Sequence, residues 1–185
     1  MTDSTATTLS SSTHAAELKT RLESAITAAL DAMYMPGATV SVVHKGEAIV
    51  HRGFGVQSLD DTAVPVTDSS LFDIASLTKS FTAACVGVLV HQGKLSWTEP
   101  IRTYLPEFET QSEIVTRSAT VVDLLAHRLG LVSPDWPWST GGGRYASSSA
   151  DLFRMVAHLP VKKPFRASSI YSNYGVALAT VLIER

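Results

Sequence analysis

Between Ser80 and Val90 the chain runs SFTAACVGVLV without a charge, and no other stretch restricts the fold as strongly. Apolar residues recur at Phe81, Ala84, Cys85, Val88 and Leu89, the spacing of one face of a helix. Ala83, Val86 and Val90 make the remaining faces apolar too, so the pattern predicts a helix enclosed by other elements and not a surface amphipath. Gly93 is placed to end it. Cys85, the one cysteine of the chain, cannot form an internal disulfide and is expected as a small core residue of this helix. An enclosed helix needs a sizeable core around it, and 185 residues with 45% hydrophobic content can supply one.

Ser76 and Lys79 stand at the entrance to this helix. A helix start offers free backbone N–H groups and the positive end of the dipole, which favour developing negative charge at Ser76. Lys79, three residues on, shares that face. A serine hydroxyl is a weak nucleophile until a base takes its proton, and a lysine at this spacing is within reach of it. Its ammonium is the obstacle. Bringing a lysine from its unperturbed value near 10.4 to about 7 requires a differential of about 4.6 kcal/mol. Helix-end electrostatics supply about 0.3–1 kcal/mol. Desolvation with a nearby cation can supply a shift of roughly 3–5 units. The apolar helix after Lys79 therefore predicts a dry site. Ser-x-x-Lys occurs once in the chain, and by itself reads equally as an N-cap serine beside a surface lysine.

The leader MTDSTATTLSSST is polar, with no basic start and no apolar h-region, and reads as a disordered tail over residues 1–13 and not as a secretory signal. A cytoplasmic protein is the corresponding expectation. His14 to Met35 carries Leu18, Leu22, Ile26, Leu30 and Met33 at a repeat near 3.6, a first helix stopped by Pro36-Gly37. Thr39–His44 and Glu47–Phe54 are rich in β-branched residues and joined by Lys45-Gly46, a hairpin in which glycine eases the turn. A helix followed by a hairpin points to an α+β fold. Leu95–Ile101 and Tyr104–Phe108 read as a loop and a short packed helix. Thr120–His127 reads as a short capped helix, and Asp151–Leu159 as another. Ser133–Ser149, with Gly141-Gly142-Gly143 and two tryptophans, has no period and reads as a long surface loop. Its glycines follow no strand and precede no Lys-Ser/Thr, which argues against a phosphate cradle.

A net charge of −2 gives no reason to expect a nucleic-acid partner, and no apolar run approaches the roughly 18 residues of a membrane span. His14, His44, His51, His91 and His158 are scattered without metal-ligand spacing, so no metal site is expected. Ser76 lacks the flanking glycines of a nucleophile elbow, which argues against an α/β-hydrolase triad.

Further along, Tyr171-Ser172-Asn173 follows Pro164-Phe165-Arg166. With this segment the chain resembles the serine β-lactamase and penicillin-binding-protein-like superfamily, in its class C β-lactamase, esterase and D-peptidase branch. Ser76-Leu77-Thr78-Lys79 matches its Ser-x-x-Lys motif and Tyr171-Ser172-Asn173 its Tyr-x-Asn motif. Leu124-Leu125-Ala126-His127-Arg128-Leu129-Gly130-Leu131 looks like the Leu-Leu-x-His-x-x-Gly-Leu segment between them, in the right order and separation. The resemblance implies an antiparallel sheet flanked by helices with an inserted all-α subdomain. It covers residues 14–185: 14–75 as the start of the α/β part and 76–185 as the mainly helical part. It implies Ser76 as nucleophile, Lys79 as the group that accepts or relays its proton, and Tyr171 as second base. A phenol is a useful base only where a cation favours phenolate, and Lys79 is the cation at hand. Asn173 is implied to bind substrate or Lys79, the Ser76 N–H to form half of an oxyanion hole, and His127 to be a packing residue.

The implied function is a serine hydrolase that forms an acyl-enzyme with an ester, a β-lactam or a small amide, without a cofactor. The third motif of such proteins, Lys-Thr-Gly or a variant on a strand, has no counterpart after Asn173. The chain therefore reads as the amino-terminal part of one domain, truncated. The alternative is a non-catalytic relative that binds a ligand or partner without turnover. On the truncated reading the terminal stripe of Val176, Ala179, Leu182 and Ile183 is expected to be partly uncovered.

Overall fold

The structure, a computed structural model, describes residues 5–60, 64–134 and 148–185, with side chains from residue 16 onward. It is α+β: among the described residues a two-stranded antiparallel sheet accompanies six α-helices. Two compact units divide at Asp73/Ile74.

The first unit holds α1 (Thr5–Ala32), β1 (Gly37–His44) and β2 (Glu47–Gly55). Helix α1 starts at Thr5, inside the stretch read from sequence as a tail. No glycine or proline interrupts the run from Thr5 to Ala32, and alanine-rich turns propagate a helix once it is nucleated. It ends where Tyr34 turns left-handed at φ 53°, with Met35 N–H donating to Leu30 O at 3.0 Å. The expected hairpin is present. Its two turn residues, Lys45 at φ 52° and Gly46 at φ 84°, both have positive φ, the combination that matches the twist of paired strands. A bulge sets Val42 and Val43 opposite Val50 and Ala48, so Ile49 is the extra residue of β2. Helix α1 packs on β2, and Val50 and Phe54 of β2 are buried together with Val66.

The second unit is helical: α2 (Thr78–His91), α3 (Glu113–Ser118), α4 (Val121–Leu125), α5 (Ser149–Ala157) and α6 (Asn173–Glu184). Helix α6 is the organising element and packs against α2, α4 and α5. One apolar cluster runs from Val86 through Ile101, Leu105, Phe108, Val121 and Leu124 to Tyr174, Leu178 and Leu182. At the crossing with α4 a side chain on Gly175 would bring its Cβ to 3.0 Å from Leu124 O, so a larger residue would require the helices to give by a few tenths of an ångström. The terminal stripe is covered, contrary to the sequence expectation. Val176, Ala179 and Leu182 are buried and Ile183 partly so, because α2, α4 and α5 already surround α6.

Helix α2 departs from the sequence reading in the other direction. Of its residues only Val86 is buried, Phe81 is 65% exposed, and Cys85 is exposed rather than part of the core. Its apolar character on all sides is real, but within this unit α6 covers one side of it. Helix α3 went unanticipated, since six residues are too few to show a period. The expected helix at Tyr104–Phe108 is replaced by a 3₁₀ turn at Ile101–Thr103, after which Leu105 and Phe108 are buried. The Ser133–Ser149 loop lies almost entirely outside the described residues, and its last part enters α5, where Ser148 caps the helix by accepting from Asp151 N–H.

Candidate active site

The second unit brings three of the four sequence-predicted site residues into direct contact. Ala75 adopts φ 44°, a left-handed conformation in a non-glycine residue, and the chain then enters a 3₁₀ turn over Ala75–Leu77 closed by Leu77 N–H to Ile74 O at 3.0 Å. Ser76 lies on this turn, just ahead of α2 and not within it. Lys79 is on the first turn of α2, and its Nζ donates to Ser76 Oγ at 3.1 Å. Tyr171 comes from 95 residues further along, and its hydroxyl lies 2.5 Å from Ser76 Oγ, where either oxygen can donate. Lys79 Nζ is 4.9 Å from the centre of the Tyr171 ring. Ser76 Oγ is thus within hydrogen-bond distance of both the Tyr171 hydroxyl and Lys79 Nζ. The fourth residue, Asn173, is half-buried as the first residue of α6, whose N-cap Ser172 accepts from Gly175 N–H.

Tyr171 is held from behind by α4. The helix ends at Leu125 with Ala126 as its cap, short of the His127 limit read from sequence. His127 takes the left-handed position at φ 58°, with His127 N–H donating to Leu124 O at 3.2 Å and Arg128 N–H to Asp123 O at 2.9 Å. This is a Schellman ending in which histidine stands where glycine is usual, at a cost of roughly 1–2 kcal/mol. The His127 carbonyl accepts from Ile170 N–H at 2.8 Å, and its Nδ1 accepts from Ser172 N–H at 3.1 Å. Its ring meets that of Tyr171 at 4.9 Å between centroids. Burial, and after it the Lys79 charge, hold the His127 imidazolium below its ordinary value near 6.5. An N–H donated to Nδ1 requires that nitrogen to be unprotonated, so the ring proton is on Nε2.

Asp123 anchors the same segment from one turn deeper. Its side chain is fully buried and receives Arg128 Nη2 at 2.9 Å and Arg166 Nη2 at 2.7 Å, while the Thr120 backbone N–H and hydroxyl donate to it as a capping box. Burial favours the neutral acid, but the bonds from Arg166 and Thr120 outweigh it and hold the carboxyl below its ordinary range. Arg166 N–H in turn donates to Arg128 O at 2.9 Å. From sequence Asp123 reads only as part of the capped start of α4, and Arg128 and Arg166 only as members of their segments. The pairing of Asp123 with Arg166 across 43 residues is not legible there.

The site is open. Ser76 is exposed, Lys79 half-buried and Tyr171 49% exposed, so the dry pocket that the apolar α2 predicted is not formed among the described residues. Leu77, Phe81 and Val88 face solvent. No cluster of potential metal ligands occurs among the described residues.

The helix and hairpin of the first unit and the helices of the second match β-lactamase/transpeptidase folds. The octameric penicillin-binding protein homologue of Pyrococcus abyssi superposes with a TM-score of 0.72 at 25% identity, over 89% of this chain and 38% of that one. A class C β-lactamase solved with cefoxitin superposes at 0.74 and 20% identity, over 92% of this chain and 45% of that one. The sequence pattern of the Beta-lactamase family matches residues 22–185, and the chain belongs to that family. An unguisins hydrolase of Aspergillus campestris is 32% identical over 84% of this chain and 29% of its own length. The chain spans less than half the length of each of these relatives. No described helix is long and apolar enough to cross a membrane.

Proposed function

We propose that the chain carries the nucleophilic half of a serine hydrolase that forms an acyl-enzyme with an ester, a β-lactam or a small amide. The observation that carries this reading is Ser76 Oγ held between Tyr171 OH at 2.5 Å and Lys79 Nζ at 3.1 Å. In the first step Ser76 Oγ attacks the carbonyl carbon, its proton passes to the Tyr171–Lys79 pair, and the same pair returns it to the departing oxygen or nitrogen. In the second step water attacks the acyl-enzyme, gives its proton to the pair, and Ser76 leaves as the hydroxyl. Asn173, two residues after the base on the first turn of α6, is the proposed substrate-binding residue. The N–H of Ser76 is the proposed oxyanion donor. Membership of a family that contains hydrolases supports the reaction class.

A second reading is a family member that binds a ligand or partner without turnover. Turnover of p-nitrophenyl butyrate, nitrocefin and an alanine p-nitroanilide by the protein and by its Ser76→Ala variant separates the two. The hydrolase reading expects release of at least one chromophore that Ser76→Ala abolishes. Turnover that survives Ser76→Ala at the original rate, or binding of a substrate without any release, sinks it.

A further inference from the structure

Tyr171 makes only one half of its own placement, since the residues on both sides of it are tied to His127. Ile170 N–H is on the His127 carbonyl, Ser172 N–H is on Nδ1, and the imidazole lies against the phenol ring between them. We propose that His127 is a positioning residue for Tyr171: it latches residues 170–172 so that the phenol meets Ser76, and protonation of the imidazole releases the latch. The inference rests on the hydrolase reading for its catalytic consequence but not for its geometry. Glycine would satisfy the left-handed turn at position 127 without strain, yet it would offer no acceptor to Ser172. The Ser172 bond requires an unprotonated Nδ1, so a proton there sets donor against donor. The groups facing the ring are Lys79 from α2 and Tyr171 from the segment before α6. Next to it in sequence, Arg128 is paired with Asp123, which also holds Arg166, and the first turn of α6 contributes no acid. No carboxylate in this set rewards a charged imidazole, while Lys79 opposes it, consistent with the burial that already disfavours the imidazolium.

The latch makes activity depend on pH through a residue that never touches substrate. His127→Asn separates this from simple packing. Asparagine tolerates the left-handed conformation, and its amide oxygen can take the Ser172 N–H, but it does not titrate. His127→Leu removes the acceptor. With p-nitrophenyl butyrate, His127→Leu should lower kcat by about 10²-fold with KM changed less than about threefold, because base placement and not substrate binding is lost. His127→Asn should recover at least about tenfold of that loss and flatten the acid-side fall in kcat expected of the unaltered protein, which lies below the ordinary imidazole range. Equal losses in both variants, or an acid limb unmoved by His127→Asn, overturn the proposal. NMR of the unaltered protein reads the latch even if no substrate turns over. From about pH 8 to about pH 5 the Ser172 amide and Tyr171 ring signals should move with the midpoint of the His127 ring nitrogens. If those signals stay still while His127 titrates, the latch is absent. If they follow it and no chromophore is released, the hydrolase reading fails and the latch stands.

Discussion

The two units of this chain reach order by different means. In residues up to Asp73 only Val50, Phe54 and Val66 are buried among the described apolar residues, and the hairpin holds its register through backbone pairing and a two-residue turn. From Ile74 on, one continuous apolar cluster surrounds α6, and a buried acid ties α4 to the segment that carries Tyr171. The first unit is therefore locally specified, whereas the second is fixed by contacts between residues far apart in sequence. Tyr171 needs such a scaffold, because a phenol brought 95 residues to a serine is only as well placed as the packing behind it.

The sharpest test of that contrast concerns the site itself. Lys79→Ala and Tyr171→Phe should each lower kcat by about 10²–10⁴, the range for a positioned proton-transfer group. Their combined effect should fall well short of the product, since both act on one proton path at Ser76 Oγ. Steady-state kinetics of the two variants and the double variant decide it, and full multiplicativity would show that the two side chains act in separate steps.

Next in size is the anchor beneath the site. Asp123→Ala leaves two arginines without their buried carboxylate and removes the N3 half of the capping box of α4, which should cost about 3 kcal/mol in urea unfolding of the second unit. The acid dependence follows from the direction of its shift. Because the folded carboxyl ionises below its ordinary value of 3.8, its stabilisation is complete above that pH and is lost as pH falls through the lower folded value. Asp123→Asn should remove this part of the acid sensitivity. An unchanged acid slope would mean that other carboxylates set it.

The smallest effect belongs to the hairpin. Gly46→Ala should loosen the β1–β2 amides in hydrogen exchange by about 1 kcal/mol, and Gly46→Asn by less, because the cost is that of φ 84° alone. A new Cβ there meets nothing within 4 Å. A loss much above about 2 kcal/mol would show that the turn makes contacts beyond its own backbone, and would blur the distinction between the units.

Sequence reading recovered what local chemistry decides. Lys45-Gly46 between two β-branched runs located the hairpin and Thr120 with Asp123 located the start of α4, whereas Tyr171 is expected at the site only through the family resemblance, and the roles of Ser76, Lys79 and Tyr171 are proposals. What it missed depends on partners distant along the chain. The apolar faces of α2 are plain in SFTAACVGVLV, but which face a neighbour covers is set by α6, so Phe81 and Cys85 were placed in a core they do not join. His127 could be read as a packing residue, yet its left-handed backbone and its bond to Ser172 follow from the ending of α4 at Leu125. Even so, the spacing of Ala126-His127-Arg128 before Gly130 held a clue. A histidine just past a short capped helix is a candidate for the left-handed position that glycine usually fills.

The central claim is that Ser76, and no other residue, is the nucleophile. Brief exposure of the protein to p-nitrophenyl butyrate or to a slowly released β-lactam, followed by acid quench, proteolysis and mass spectrometry, tests it directly. The account predicts one acyl group per chain, on the peptide that contains Ser76, strongly reduced in Lys79→Ala and absent in Ser76→Ala. An adduct on any other residue, or one that forms at the same rate without Lys79, contradicts it.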